Sequence, residues 1–309
     1  MPPNLIGAGL TLITVAFGLC TGILVKLLGD SMPLLTVLFF RFWLSLPLLF
    51  LGTWILRGPD MLNITARKRM LVRIIIGFTT MFCWFSAVRV IPLGEATALF
   101  NSSILFVTIL SPLMLGEKVG PYRLGAVLAG LAGVWMIAAP GGVAWQMGNL
   151  YALTGAVTGA FLSVTLRRLG KSESPASVAC WYNFGGALIV LAALMVMPQG
   201  WATPADTREW LLLIGLGIVG SLLQFTHTAS YRYGEAVIVA SLRHMQMPIA
   251  ALVGWLAFSE TLEGHELAGG ALVLAASWFI IWREFQLYRQ RRLQKQAGPA
   301  MSMRQDSEN

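Results

Sequence analysis

The sequence predicts an all-α integral membrane protein, with ten transmembrane helices arranged as two inverted five-helix repeats. Three observations carry that prediction. The composition cannot make a water-soluble surface, the apolar runs are of membrane-crossing length, and the chain matches itself weakly at a shift of about 140 residues.

Of the 309 residues, 56% are hydrophobic and 12% charged, where a soluble domain carries roughly 25% charged residues. The mean hydropathy is +0.70. A span needs about 20 apolar residues to cross about 30 Å of hydrocarbon, so ten spans leave no room for a sizeable extramembrane domain. The net charge of +8 comes from basic clusters between apolar runs and at the C-terminus, a topological pattern that points away from a nucleic-acid partner. Cys20, Cys83 and Cys180 lie inside apolar runs with no CxxC or CxxH spacing, so neither a disulfide framework nor a zinc site is expected. The N-terminus has no basic leader region, and its first apolar run is long for a signal segment, so residues 5–28 read as a retained first helix.

Apolar runs broken by Gly, Pro and charge place spans at 5–28, 34–56, 70–90, 93–115, 121–139, 148–167, 176–197, 210–230, 235–257 and 264–282. The clearest breaks are 57–69, 140–146, 167–175 and 198–209. With the N-terminus inside, Lys26, Arg89 and Arg208 fall in segments assigned outside, and Arg41 and Arg243 fall within spans. All the rest of the 22 basic residues, Arg73 among them, fall inside. That bias predicts a multi-pass protein with both termini in the cytoplasm. Residues 1–283 form one transmembrane domain, with repeats at about 1–140 and 148–283. Residues 284–309 read as a basic, disordered cytoplasmic tail.

The self-match pairs Gly18 with Gly159, Lys26 with Arg167 and Phe40 with Trp181. Further on, Gly94-Glu95-Ala96 pairs with Gly234-Glu235-Ala236, and Glu117 with Glu260. A unit of five helices is odd, so the second copy enters the membrane from the opposite side, an architecture suited to alternating access. Two membrane segments rich in Leu, Ala and Gly also align by composition alone.

Several of these residues resemble the EamA-like ten-helix branch of the drug/metabolite transporter superfamily. The resemblance rests on Leu38-Phe39-Phe40-Arg41-Phe42-Trp43, on Leu115-Gly116-Glu117-Lys118-Val119, and on the Gly125 to Gly133 stretch. In the second half it rests on Gly148-Asn149-Leu150 and on Pro248 twelve residues before Glu260. Pro248 stands where the first half has Leu105. The resemblance implies a transporter of the cytoplasmic (inner) membrane, commonly an exporter of metabolites, amino acids or toxic compounds, with no ATP-binding domain. The sequence itself has no G-x-x-x-x-G-K-[ST] loop, and no cofactor is expected.

Charge inside hydrocarbon costs at least about 2.5 kcal/mol at a helix centre, so the few charges there are functional candidates. Arg243 lies well inside the ninth span, and Gln246 at i+3 shares its helix face. A cavity-facing arginine offers a planar fork to a carboxylate or phosphate, and it suits a structural pairing as well. His244, one residue on, titrates near neutral pH when unperturbed. Asn101, with Ser102 and Ser103, places hydrogen-bonding groups at similar depth on the fourth span, though small polar residues there also serve helix packing. Trp84 and Phe85 on the third span, with Gln224, Phe225 and His227 on the eighth, offer aromatic walls and a polar handle, or simply packing. Arg41 suits a structural or gating charge. Glu95 and Glu235 follow glycines at helix starts, where capping is the simpler account and proton coupling the alternative. Pro47, Pro92, Pro112 and Pro248 are candidate hinges.

The leading expectation is therefore a secondary transporter of a small organic metabolite, anionic or zwitterionic, amino-acid-like or aromatic, by export or else by uptake. A membrane-embedded enzyme is disfavoured, because it needs convergent acid, base or metal ligands and the chain has three histidines and no HExxH. A non-transporting subunit is disfavoured by the duplicated halves. Lipid surrounds the chain, and its oligomeric state is left open.

Overall fold

The computed structural model describes residues 3–29, 31–115, 121–138, 146–170, 172–233, 239 and 242–306. The helices are α1 (Pro3–Leu28), α2 (Leu34–Trp43), α3 (Ser45–Arg57), α4 (Arg67–Val90), α5 (Leu93–Asn101), α6 (Ser103–Leu115), α7 (Pro121–Ala138), α8 (Met147–Leu169), α9 (Pro175–Val196), α10 (Thr207–Tyr233), α11 (Gln246–Phe258) and α12 (Gly264–Asp306). Among the described residues eight helical stretches are long and apolar enough to cross a membrane, and Leu124–Ala138 and Gln246–Phe258 are shorter apolar helices. Together they account for the ten spans expected. α2 with α3 makes one span and α5 with α6 another. α12 stays helical past residue 283 as far as Asp306, where a disordered tail was expected.

Three spans are interrupted at mid-depth, and two interruptions have the same cause. A proline cannot donate to the carbonyl four residues back, and its ring collides with that carbonyl. Pro47 is the third residue of α3, and α2 ends at Trp43, four residues before it. Pro248 is the third residue of α11, and four residues before it His244 and Met245 form a turn. There the Met247 N–H donates to the His244 carbonyl at 3.2 Å, a tightened turn in place of an α-helical bond. The fourth span breaks at Ser102 without a proline. The Ser102 hydroxyl donates to the Leu99 carbonyl at 2.6 Å, the side-chain competition for backbone that bends helices.

The packing has the symmetry of two inverted halves. α4 packs on α8 as α1 packs on α10; α2 meets α9, α5 meets α11 and α7 meets α12. In span numbers these are three with six, one with eight, two with seven, four with nine and five with ten. A twofold that exchanges the halves carries the first pair into the second and each of the others into itself. The α7–α12 crossing is made possible by glycine. A Cβ on Gly133 would stand 2.7 Å from the Gly269 carbonyl oxygen, and one on Gly269 would stand 2.6 Å from that of Gly133. Small residues let backbones approach this closely, the usual way to pack helices where lipid removes the hydrophobic drive. The outer surface carries exposed Leu51, Ile55, Trp135, Val196 and Trp255, as a lipid-facing belt requires.

Each end of the bundle is laced by polar contacts. At one end Lys26 of α1 is ion-paired with Glu260 and donates to the Ile91 carbonyl at 3.1 Å. Glu260 also accepts the Leu93 N–H at 2.8 Å. It therefore caps α5, in the opposite half of the repeat, rather than the helix that follows it in sequence. At the other end Glu173 accepts the Thr65 and Ala66 N–H groups at 3.1 and 2.8 Å, and Arg57 donates to Ser177 at 2.9 Å.

Candidate functional site

Between the halves lies a cavity of about 130 Å³, walled by α1, α4, α8 and α10 and bordered by Arg41 of α2, Tyr182 of α9 and the segment around Arg243. About 10–15 Å³ of such space is enough to admit one water, so the cavity has room for several waters or one small organic molecule. Trp84, Phe85 and Phe100 give it an aromatic side, with the Trp84 and Phe100 rings 5.0 Å apart.

Three guanidinium groups border this space. Arg41 is fully enclosed and donates to the Asn183 Oδ1 at 2.7 Å, the Ser45 hydroxyl at 3.2 Å and the Gly220 carbonyl at 3.1 Å. It ties α2 to α9 and α10, with Nε left without a partner. Arg73 is 1% exposed. Its Nη2 donates to the Gln224 Oε1 at 3.0 Å, and its Cζ lies 4.0 Å from the centre of the Tyr182 ring. Its Nε and Nη1 have no partner. Arg243 is half-buried and donates to the Tyr231 hydroxyl at 3.1 Å. Among the described residues none of the three forms an ion pair. A cluster of this kind repels cations and draws an anion.

The other residues named from sequence divide among three places. Trp84, His227 and Gln246 border the central cavity together with Arg41 and Arg243. Arg243 and Gln246 do so although the turn at His244 and Met245 separates them, so they do not share the face of one continuous helix. Asn101 and His244 instead line an adjoining chamber of about 90 Å³ with Arg167 and Tyr231. Arg243 and Ser163 border both spaces. The Asn101 Nδ2 and His244 Nδ1 have no partner there. Glu95 lies in neither. It is buried near Glu266 of α12. Glu235 lies outside the described residues.

Arg73 corrects the sequence reading. Counted with the inside charges, it sits six residues past the start of α4, about 9 Å into the helix at 1.5 Å per residue, and turns into the bundle. Tyr182 and Asn183 were also missed. The signal available was a tyrosine and an asparagine side by side in the otherwise apolar α9.

A profile of the EamA-like transporter family matches residues 5–139 and 146–282, one copy per half. The pseudopaline exporter CntI of Pseudomonas aeruginosa is 30% identical over 82% of this chain and 88% of its own length. A riboflavin transporter of Vibrio cholerae is 29% identical over 72% of this chain and 74% of its own. An S-adenosylmethionine uptake transporter of Rickettsia felis is 26% identical over 91% and 94%. A solved crystal structure covering 92% of this chain and 98% of its own superimposes with a TM-score of 0.63 at 21% identity, a likeness of fold alone.

Proposed function

Because the chain belongs to the EamA-like transporter family, we propose that it is an exporter of a small organic anion or zwitterion, working by alternating access in the inner membrane with both termini in the cytoplasm. One observation carries the substrate charge: Arg41, Arg73 and Arg243 border a single cavity, and none is paired with a carboxylate among the described residues. A ligand that brings negative charge offsets their desolvation, whereas a cation adds to it. The relatives carry metabolites in both directions by their names, so uptake is the competing reading. Family membership sets aside the membrane-embedded enzyme.

The broken helices support alternating access. Interrupted spans at mid-depth are where transporters of inverted repeats place their sites, and Arg243, beside the turn at His244 and Met245, borders two spaces. The orientation rests on the basic residues that cluster at one set of helix ends. An impermeant thiol reagent should reach a cysteine placed at residue 304 only after cell lysis, and labelling in intact cells overturns it.

The functional test compares metabolites inside and outside cells with and without the chain. Export predicts at least one organic anion enriched outside in its presence. Enrichment inside selects uptake, and an effect confined to organic cations contradicts the substrate charge.

A further inference from the structure

The three arginines are not equivalent, and the difference bears on how many charges the ligand carries. Both Nη atoms of Arg41 already donate, to Asn183, Ser45 and Gly220, and only its Nε lacks a partner. It contributes a fixed charge. Arg73 is held more loosely: Gln224 and the Tyr182 ring orient its plane, and two of its nitrogens, Nε and Nη1, are buried with no acceptor, against Nε alone in Arg41. A charged group whose donors the protein does not satisfy is arranged for an acceptor that arrives with the ligand. Gly77, one turn along α4, keeps that arrangement possible, since any side chain there would run into the Arg73 Nη1.

Arg243 supplies a second, separate seat. It borders both the central cavity and the adjoining chamber, whereas Arg73 borders the central cavity alone. Trp84 and Phe100 form an aromatic wall of the same space. Water entering the cavity can satisfy donors but cannot neutralise charge, so hydration alone leaves Arg73 and Arg243, like Arg41, without a counter-charge among the described residues.

We infer that the cavity takes an organic molecule with two separated anionic groups, one seated on Arg73 and the other on Arg243, joined by an apolar or aromatic body. The inference rests on the anion-transport reading above and narrows its substrate class.

The test uses the purified full chain and a matched set of probes: 3-phenylglutarate, 3-phenylbutyrate, which has hydrogen where the first has a second carboxylate, and neutral 2-phenylethanol. Affinity is read by calorimetry or by tryptophan fluorescence. 3-Phenylglutarate is expected to bind about tenfold or more tightly than 3-phenylbutyrate, as a second charge-assisted seat requires. In Arg73→Gln the gap should close to about threefold or less, with Arg73→Lys restoring part of it because charge returns without the planar fork. Should Arg73→Gln fail to fold, Gly77→Val crowds the same guanidinium and is expected to close the gap as well. Equal affinity of the two carboxylates for the wild-type protein overturns the two-seat inference and leaves the anion reading standing. Binding of 2-phenylethanol as tight as that of either carboxylate, or no binding of either carboxylate, overturns both.

Discussion

Arg243→Ala is expected to lower flux of the transported anion by about a hundredfold in proteoliposomes, with little change in folding. The size follows from removing one partner of a desolvated charge pair, which costs about 2–5 kcal/mol, where 1.4 kcal/mol is tenfold. The small folding effect follows from what is left behind. Arg243 is half-buried, and the Tyr231 hydroxyl that receives its hydrogen bond keeps the Ser163 hydroxyl 3.4 Å away, so no buried group is orphaned. Arg243→Lys should fall between, keeping the charge and losing the fork. Flux in Arg243→Ala equal to wild type, at equal incorporation, removes this residue from the binding site.

Gly133→Leu is expected to prevent formation of a stable folded protein. Overpacking usually costs about 1–3 kcal/mol because neighbouring side chains can yield, but here the nearest atom is a backbone carbonyl. A Cβ at residue 133 would lie 2.7 Å from the Gly269 oxygen and 3.0 Å from the Val273 Cγ2. α7 and α12 would have to separate, and their contact joins the fifth span to the tenth across the pseudo-twofold. Gly133→Ala should retain folding with a lowered midpoint. Thermal unfolding in detergent with size-exclusion chromatography checks both. A monodisperse Gly133→Leu protein with a wild-type midpoint would show that the helices do not approach as described.

The spans were legible because each is an apolar run ended by charge, Gly or Pro, and the inverted halves were legible because Lys26, Glu95 and Glu260 have counterparts near one shift. Hydropathy does not register a helix that breaks while staying apolar, so α2 with α3 and α5 with α6 read as single spans. Pro47 and Pro248 held a usable signal, since each marks the carbonyl four residues earlier, but Ser102 breaks its helix with nothing as plain. At the site, Arg41 and Arg243 stood out because they interrupt apolar runs. Arg73 did not, because it follows the Arg67-Lys68-Arg69 cluster so closely that it reads as loop charge. Only its direction into the bundle distinguishes it, and direction comes from packing. The same limit separated Asn101 and His244 from the central cavity. Depth along a span is readable, whereas the turn at His244 and Met245 decides which space each side chain meets. Glu260 stood out in the self-match as the counterpart of Glu117, but that it caps α5 of the other half comes from packing.

The central claim is that this chain alone moves an organic anion through a cavity between its two halves. Purified protein should be reconstituted without other subunits and loaded inside with the anion identified in the cell comparison. Exchange for labelled anion from outside should then be measured against empty liposomes. Exchange is expected to saturate, to be lost in Arg243→Ala and to be unaffected by an equal concentration of an organic cation. No exchange above empty liposomes from folded, incorporated protein, or competition by the cation as strong as by the anion, would contradict that claim.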